Sequence, residues 1–424
     1  KNIIEKMVSE IHHRGPDDQG IWIDDRLGVA LGHTRLSIQD LSKNGSQPMV
    51  SKSGRFVTVF NGEIYNHLDL RKKLSSNNLS LGWVGTSDTE TLLAGFEKWG
   101  ISKTLEKCVG MFSLAVWDKN KKSLSISRDR FGEKPLYYGY HGQTFLFGSE
   151  LKAIRKHPSF SSEVDRNALA SFFNYGYVPN PQSIYKGIKK LPPGNIAEIN
   201  IGSKKNIKII KYFDYKKIVI DGNENPFDGS DIEAIKSVDY HLKNAVQSQE
   251  ISDVPLGAFL SGGIDSSLIV SMLQKYSSKP VNTFTIGYDE SNFNEAKYAK
   301  NIATYLGTKH TEKIVSPTEA IKVVDHLSFI YDEPFADSSQ IPTYLVSKLA
   351  REHVSVSLSG DGADEIFGGY NRYMWTDNIS SIPRFIRKPL SNCLTFLTPH
   401  QWDLLFKYLW RFLPQKLQLK MPGD

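Results

Sequence analysis

"VPLGAFLSGGIDSSLIVSMLQKY", residues 254–276, passes from an apolar run through a serine and two adjacent glycines into a helix-like pattern. That order suits one unit of a parallel α/β sheet. "PLGAFL" reads as a strand, "SSLIVSML" as the helix after it, and Ser261-Gly262-Gly263-Ile264-Asp265-Ser266 as the loop between them. Ligands of such sheets bind beyond the carboxyl ends of the strands. Glycine permits tight turns and close approach of a ligand, and the free N–H groups of a helix start attract anions, so phosphate is the natural guest. The loop holds no lysine and is therefore not the G-x-x-x-x-G-K-[ST] loop of enzymes that transfer a terminal phosphoryl group. Its serines and Asp265 suit pyrophosphate, with a carboxylate to offer Mg²⁺. Taken alone, the stretch could equally be an ordinary strand-to-helix turn.

A second stretch, "VSVSLSGDGADEIFGGY" at 354–370, again ends a β run and becomes glycine-rich, now with Asp361, Asp364 and Glu365 within a few residues. Carboxylates this dense repel one another unless a cation or proton sits among them, which a Mg·nucleotide would explain and a solvated acidic turn would not require. Between the two loops the rhythm is strand, loop, long helix: "VNTFTIGYDE", "NEAKYAKNIATYLG", "PTEAIKVVDHLSFIYD" and "IPTYLVSKLAREH". Such alternation predicts a parallel sheet with helices on its faces, the two loops meeting at adjacent strand ends.

Residues 20–150 have a different texture. Short β runs separated by turn residues ("LGVALGHTRLSI", "RFVTVFNGEIYN", "GMFSLAVWD", "SLSISRDR", "PLYYGYHG", "TFLFGSE") are interrupted by two helices, expected near 66–75 and 88–99. Ser87 and Glu90 stand at capping-box spacing before the second. Strands with few helices predict a layered α+β domain. The stretch 200–230, rich in Lys, Asn, Gly and Asp, separates the two textures. The expected domains are 1–200, a linker at 201–230, and 231–424.

At 424 residues the chain exceeds what one core usually organises. Its net charge of +6 is spread over short lysine clusters that read as solvated surface, so a nucleic-acid partner is not expected. No apolar run is long enough for a bilayer helix, and no membrane partner is expected. Cys108 and Cys393 lie far apart and outside any C-x-x-C pattern, which disfavours disulfide scaffolding and structural zinc and fits a reducing cytoplasm.

"LSGGIDSS" and "SLSGDGADEIFGGY", together with "HRGPDDQG" (13–20), "LGHTRLSI" (31–38), "FNGEIYN" (60–66), "SDTE" (87–90) and "SRDRFGEKPLYY" (127–138), resemble the glutamine-dependent asparagine synthetase family. The likeness covers roughly residues 10–375. It implies an αββα N-terminal nucleophile glutaminase sandwich followed by an α/β ATP-pyrophosphatase domain. Glutamine would be hydrolysed in the first and its ammonia carried to the second, where ATP activates aspartate as an acyl-adenylate. ATP and Mg²⁺ are the implied cofactors, glutamine and aspartate the small-molecule partners; a homodimer is left open.

Carried over by motif, Arg35 would pair with the glutamine α-carboxylate, with Leu36, Ser37, Ile38 and Gln39 lining its loop. Asn61 and Gly62 would form the oxyanion hole, and Glu63 and Asp88 would receive the α-ammonium. Phe259 and Leu260 would lead into the pyrophosphate loop of Ser261, Gly262, Gly263, Asp265 and Ser266. Ile286 would read adenine through its backbone, and Ser359 and Gly360 would sit beside the nucleotide. Asp265 and Asp364 would hold Mg²⁺. Asp361 would stand next to the reacting carboxylate, where glutamate is frequent in the family, and 331–342, "YDEPFADSSQIP", would face the acceptor.

Two departures matter. The family nucleophile is a cysteine at the mature N-terminus, whereas this sequence opens on Lys1; the reading expects the cysteine's strand to precede it, and takes Cys108, set among apolar residues, as a packed thiol. A lysine that contacts phosphate in the family has no assignable counterpart in 409–424. The rival readings are a family amidotransferase acting on another carboxylate, such as a sugar acid, and a non-catalytic glutaminase-like binding protein.

Overall fold

The computed structural model of the chain describes residues 1–75, 82–201, 206–289 and 294–409. They form two units, Lys1–Gly360 and Asp361–Asp424. The first opens with α1 (Asn2–Ser9), then β1 (Asp18–Asp24) antiparallel to β2 (Val29–Arg35). Next come β3 (Met49–Val50), β4 (Phe56–Ile64), α2 (His67–Ser75), α3 (Asp88–Trp99), α4 (Ile101–Lys107), β5 (Gly110–Asp118), β6 (Ser123–Arg128), β7 (Tyr137–His141) and β8 (Thr144–Gly148). α5 (Leu151–Arg155), α6 (Arg166–Tyr175), β9 (Ile188–Lys190), β10 (Asn195–Asn200) and β11 (Ile207–Lys211) follow. An antiparallel sheet of order β11-β10-β6-β5-β4-β3 faces a second of order β8-β7-β9.

Period-two alternation along the central strands sorts the core into layers. On β5, Phe112, Leu114 and Val116 join Leu92, Phe96 and Leu105 of α3 and α4 on one face. Ala115 and Trp117 point the other way, against Leu136, Tyr138 and the partly buried Phe145 and Phe147 of the second sheet. Trp117 is wholly buried, a site where truncation to alanine costs about 3–5 kcal/mol. Behind the second sheet, Leu151, Ile154 and Ala168 of α5 and α6 close an outer layer. Helix, sheet, sheet, helix is the expected sandwich.

Both expected helices of this half are present, but the capping box at α3 is half made. The Ser87 side chain accepts from Glu90 N–H, while the Glu90 carboxylate takes the N–H groups of Val84 (2.8 Å) and Gly85 (3.0 Å) and pairs with Arg71. Within 201–230, read as a linker, β11 hydrogen-bonds to β10 and extends the large sheet, and α7 (Tyr215–Glu224) follows it.

The rest of this unit runs α8 (Asp231–Gln249), β12 (Leu256–Phe259), α9 (Ile264–Tyr276), β13 (Asn282–Tyr288), α10 (Ala296–Leu306), β14 (Lys309–Val315), α11 (Pro317–Ile330), α12 (Gln340–Arg351) and β15 (Val356–Leu358). The four strands form an all-parallel sheet, order β14-β13-β12-β15. Capping boxes at Ser230/Glu233 and Ser316/Glu319 start α8 and α11. β15 and β13 both flank β12, so the loops after "GAFL" and "VSL" leave adjacent strand ends. Among the described residues the second unit is helical: α13 (Ala363–Phe367), α14 (Asn371–Ser381), α15 (Arg384–Phe396) and α16 (Pro399–Leu409). Among the described residues no helix is long and apolar enough to cross a membrane.

Candidate active sites

In the N-terminal half, a cavity of about 750 Å³ is lined by Arg35, Leu36, Ile38, Gln39, Asn61, Gly62, Glu63 and Asp88. Ser37 is not among its lining residues; its N–H donates to Asp17 at 2.7 Å. Arg35 closes β2 with a buried guanidinium that donates to the carbonyls of Ser42 (2.9 Å), Gln39 (3.3 Å) and Asp40, and so folds the 36–42 loop around itself. Asn61 and Gly62 lie on β4 opposite Ser113 and Phe112. A Cβ at Gly62 would overlap the Met111 carbonyl, so the backbone is bare there because β5 leaves no room. The Asn61 amide reaches the Ser149 hydroxyl at 3.5 Å.

Glu63 and Asp88 are both buried. Burial, and then the repulsion of Asp88, pushes the Glu63 carboxyl up to about 7 against the pull of Lys134. Asp88, first residue of α3, accepts the Ile64 N–H at 2.8 Å, yet burial still raises it to about 6. A cation arriving between them would favour their charged forms. Glu63 Oε1 and both ends of the Gln39 amide are buried without a hydrogen-bond partner in the structure, which points to a polar ligand. The motif reading did not single out His33, Arg14 and Lys134, which also line the cavity. His33 is held neutral by burial, down to about 4, with its Nε2 3.1 Å from the Phe60 carbonyl oxygen. Cys108 is a core thiol: its S–H donates to Thr104 O at 3.2 Å, and burial pushes it up to about 12.

At the end of β12, Phe259 and Leu260 put their side chains into core clusters, and Leu260 N–H donates to Phe284 O at 3.0 Å. The following loop is tied internally. Ser261 and Ser266 hydroxyls lie 2.9 Å apart, Gly263 N–H donates to Ser261 Oγ, and the Ser267 hydroxyl donates to Gly263 O at 2.6 Å. Gly262 has φ +88°, and a Cβ there would stand 2.8 Å from Ala299 N. α9 begins with Gly263 as N-cap and no side-chain cap, leaving first-turn N–H groups for an anion. Gly360, after β15, approaches so closely that a Cβ would stand 2.7 Å from Ser266 N. The two loops of this unit therefore do meet.

Ile286 packs its side chain against Val315, Val323 and Leu345. Asp265 sits in the first turn of α9. Asp361 and Asp364 belong to the second unit, where Asp364 and Glu365 open α13 and the Tyr370 hydroxyl donates to Glu365 at 2.6 Å. Among the described residues no group of three or more His, Cys, Asp or Glu could by itself hold a metal ion. Residues 410–424, within the stretch that offers no assignable counterpart to the phosphate-contacting lysine, lie outside the described residues.

Residues 1–213 match the model of the glutamine amidotransferase domain and 237–421 that of asparagine synthase. A Methanocaldococcus jannaschii protein assigned as an asparagine synthetase (glutamine-hydrolysing) is 36% identical over 418 residues, 91% of this chain and 76% of its own length. The chain belongs to the glutamine-hydrolysing asparagine synthetase family. Asparagine synthetase 1 of Bacillus subtilis is also 36% identical, over 88% of this chain and 56% of its own; asparagine synthetase B of Escherichia coli is 32% identical, over 85% and 60%. The chain thus spans little more than half the length of those two synthetases.

The segment expected to face the acceptor, 331–342, makes contacts that the motif reading did not anticipate. Asp332 and Glu333 turn to the glutaminase-like half: Asp332 pairs with Lys152 and Glu333 with Lys190. Nearer β12, Asp40 N–H donates to Asp253 at 2.8 Å and Asp253 N–H to Ile38 O at 2.9 Å, tying the Arg35 loop to the approach of the Ser261 loop.

Proposed function

We propose that this chain carries the two sites of an asparagine synthase (glutamine-hydrolysing): ATP, aspartate, glutamine and water give AMP, pyrophosphate, asparagine and glutamate. The observation that carries the reading is the pairing, in one family member, of a cavity with unmatched polar groups and a glycine loop at a helix start. In the first site the Arg35 fork takes the glutamine α-carboxylate, and Glu63 and Asp88 ionise to receive its ammonium. Asn61 Nδ2 and Gly62 N–H stabilise the oxyanion as the cysteine expected ahead of Lys1 adds to the side-chain amide carbon, ammonia leaves, and water then cleaves the thioester to glutamate. Cys108, buried and protonated, takes no part.

In the second, the bare backbone of Gly262, Gly263 and Gly360 and the first turn of α9 cradle the phosphates, a fit supported by the absence of room for any Cβ at Gly262 and Gly360. The Asp265 carboxylate, in the first turn of α9, is a hard oxygen ligand of the kind that suits Mg²⁺, which when bound would neutralise pyrophosphate as it leaves. Asp361 accepts a proton as ammonia attacks the activated carboxylate. The reading places the protein in the cytoplasm, acting on small molecules without nucleic acid or membrane, and takes 1–200 and 231–424 as its working domains. The test is to give the full-length protein ATP, Mg²⁺, glutamine and a panel of carboxylates, and to measure pyrophosphate and amide. Pyrophosphate with aspartate supports the assignment; release only with a sugar acid, or none at all, overturns it.

A further inference from the structure

A run of charged side chains, open to solvent at His13 and Arg14 and increasingly covered through Glu150, Lys152 and Asp332, crosses from the glutamine cavity to the 331–342 segment. Arg14 and His13 line the cavity. Both reach Glu150, Arg14 Nη1 at 2.7 Å and His13 Nε2 at 3.2 Å. Lys152 Nζ lies 2.6 Å from Glu150 and 3.3 Å from Asp332, and Lys152 N–H donates to the second Asp332 oxygen at 3.1 Å. The Lys152 and Asp332 side chains are each only 9% exposed. Beside them Glu333 accepts from Lys190 (2.5 Å), the Tyr137 hydroxyl (3.2 Å) and Ile184 N–H (2.7 Å), and Ala336 N–H donates to Gly176 O at 2.8 Å.

Arg14, Glu150, Lys152 and Asp332 sum to zero formal charge; Arg14 is part-exposed at the cavity end, while the covering of Glu150, Lys152 and Asp332 makes the position of each depend on the next. Apolar side chains of like volume would hold such an interface at least as firmly, because taking ions out of water is costly. A charge chain in a poorly polarisable setting does something apolar packing does not. When one ion re-pairs, its neighbours must re-pair too, since an unmatched buried charge is expensive. Lys152 is the shared link, with two carboxylates competing for one ammonium.

We propose that Arg14, Glu150, Lys152 and Asp332 form a relay through which an amino acid in the glutamine cavity shifts the 331–342 segment, with Glu150, Lys152 and Asp332 as positioning residues. The relay rests on the two-site reading above. A charged amino acid in the cavity that Arg14 lines changes the field at Arg14 and so its hold on Glu150; Glu150 then changes its share of Lys152, and Asp332 gains or loses its cation.

Amide hydrogen exchange on the full-length protein, with and without saturating L-glutamate as the probe, tests it. Slowed exchange around Arg35 and Asn61 reports that the cavity is filled. The relay predicts that filling also changes exchange at 332–336 by about 5-fold or more, in the unmodified protein and in Lys152→Arg, which keeps the cation. In Asp332→Ala the cavity still fills while 332–336 become indifferent to the probe; Lys152 keeps Glu150, so no cation is orphaned. Should Asp332→Ala melt early, Asp332→Asn, which retains the acceptor but not the charge, gives the same comparison. A filled cavity with no response at 332–336, or an equal response in the Asp332 variants, overturns the relay. No protection at the cavity itself overturns the glutamine-site reading and the relay with it.

Discussion

At the N-terminal cavity, Arg35, Glu63 and Asp88 are between 6% and 7% exposed, held by carbonyls and N–H groups of β4, α3 and the 36–42 loop. At the ends of β12 and β15, Ser261 and Gly263 lie open, and the shape comes from glycine backbone and an uncapped helix start. The first site is assembled by packing, so desolvation sets its chemistry. The second is assembled by backbone, and its counter-charges arrive with the ligand. Substitutions should therefore separate the two: side-chain deletions at the loop end one reaction and spare the other, whereas added atoms at the cavity are felt through the sheet.

The largest expected effect is at Asp265. Asp265→Ala removes a carboxylate from an open first turn, so stability should hold while ATP-dependent pyrophosphate release falls by about 10²-fold or more. Glutamate release from glutamine, measured in the same preparation, should be unchanged; equal loss of both would show that the sites are not separate.

Gly62→Ala is the counterpart at the cavity. Its Cβ overlaps the Met111 carbonyl of the neighbouring strand β5, so overpacking of roughly 1–3 kcal/mol is expected. Glutamate release should be lost and the urea midpoint lowered together. Gly360→Ala meets Ser266 N at 2.7 Å instead, and should cut pyrophosphate release while leaving glutamate release alone. If Gly62→Ala folded and hydrolysed normally, the packed character of the first site would be refuted.

How much of this contrast was legible beforehand follows from the range of the interactions. The strands of the sandwich alternate visibly, and "SSLIVSML" after "SGG" declares a helix start, because these signals are local. "Ser-x-x-Glu" at 87–90 promised a capping box, but Glu90 found the Val84 and Gly85 N–H groups and Arg71 closer to hand. "YDEP" could be matched to a family segment, yet nothing within it tells that Asp332 would be buried against Lys152, 180 positions away. β11 was hidden for a related reason: lysine-rich and half exposed, it is a strand only because β10 is beside it.

A subtler separation concerns pH. Glu63 holds its proton in the folded protein up to about 7, whereas the unfolded carboxyl releases it near 4.5. The unfolded chain therefore sheds the proton first as pH rises, and stability from this group is full below about 4.5 and lost as pH climbs through about 7, by roughly 3 kcal/mol in all. Urea unfolding between about pH 5 and pH 8 should show this decline relative to Glu63→Gln, which cannot ionise. Glutamine should work the other way, its ammonium favouring the ionised pair, so its KM should fall over the same interval. Parallel slopes for the two proteins would mean that desolvation does not govern Glu63.

The smallest effect is expected at the residue with the most suggestive chemistry. Cys108 is a thiol in the glutaminase-like half, but burial holds it protonated up to about 12, and its S–H is engaged by Thr104 O. It packs in the cluster with Phe112, Leu105 and Phe96, on the helical face of the large sheet, and is not among the residues that line the cavity. A nucleophile must reach its substrate as thiolate, and Cys108 meets neither condition. Cys108→Ala should therefore cost about 1 kcal/mol, from a lost weak hydrogen bond and a small void, read as a modest drop in urea midpoint, with glutamate release unaltered. Loss of hydrolysis without loss of stability would make this buried thiol a participant, and would undo the division between a packed site that works by desolvation and an open one that works by backbone.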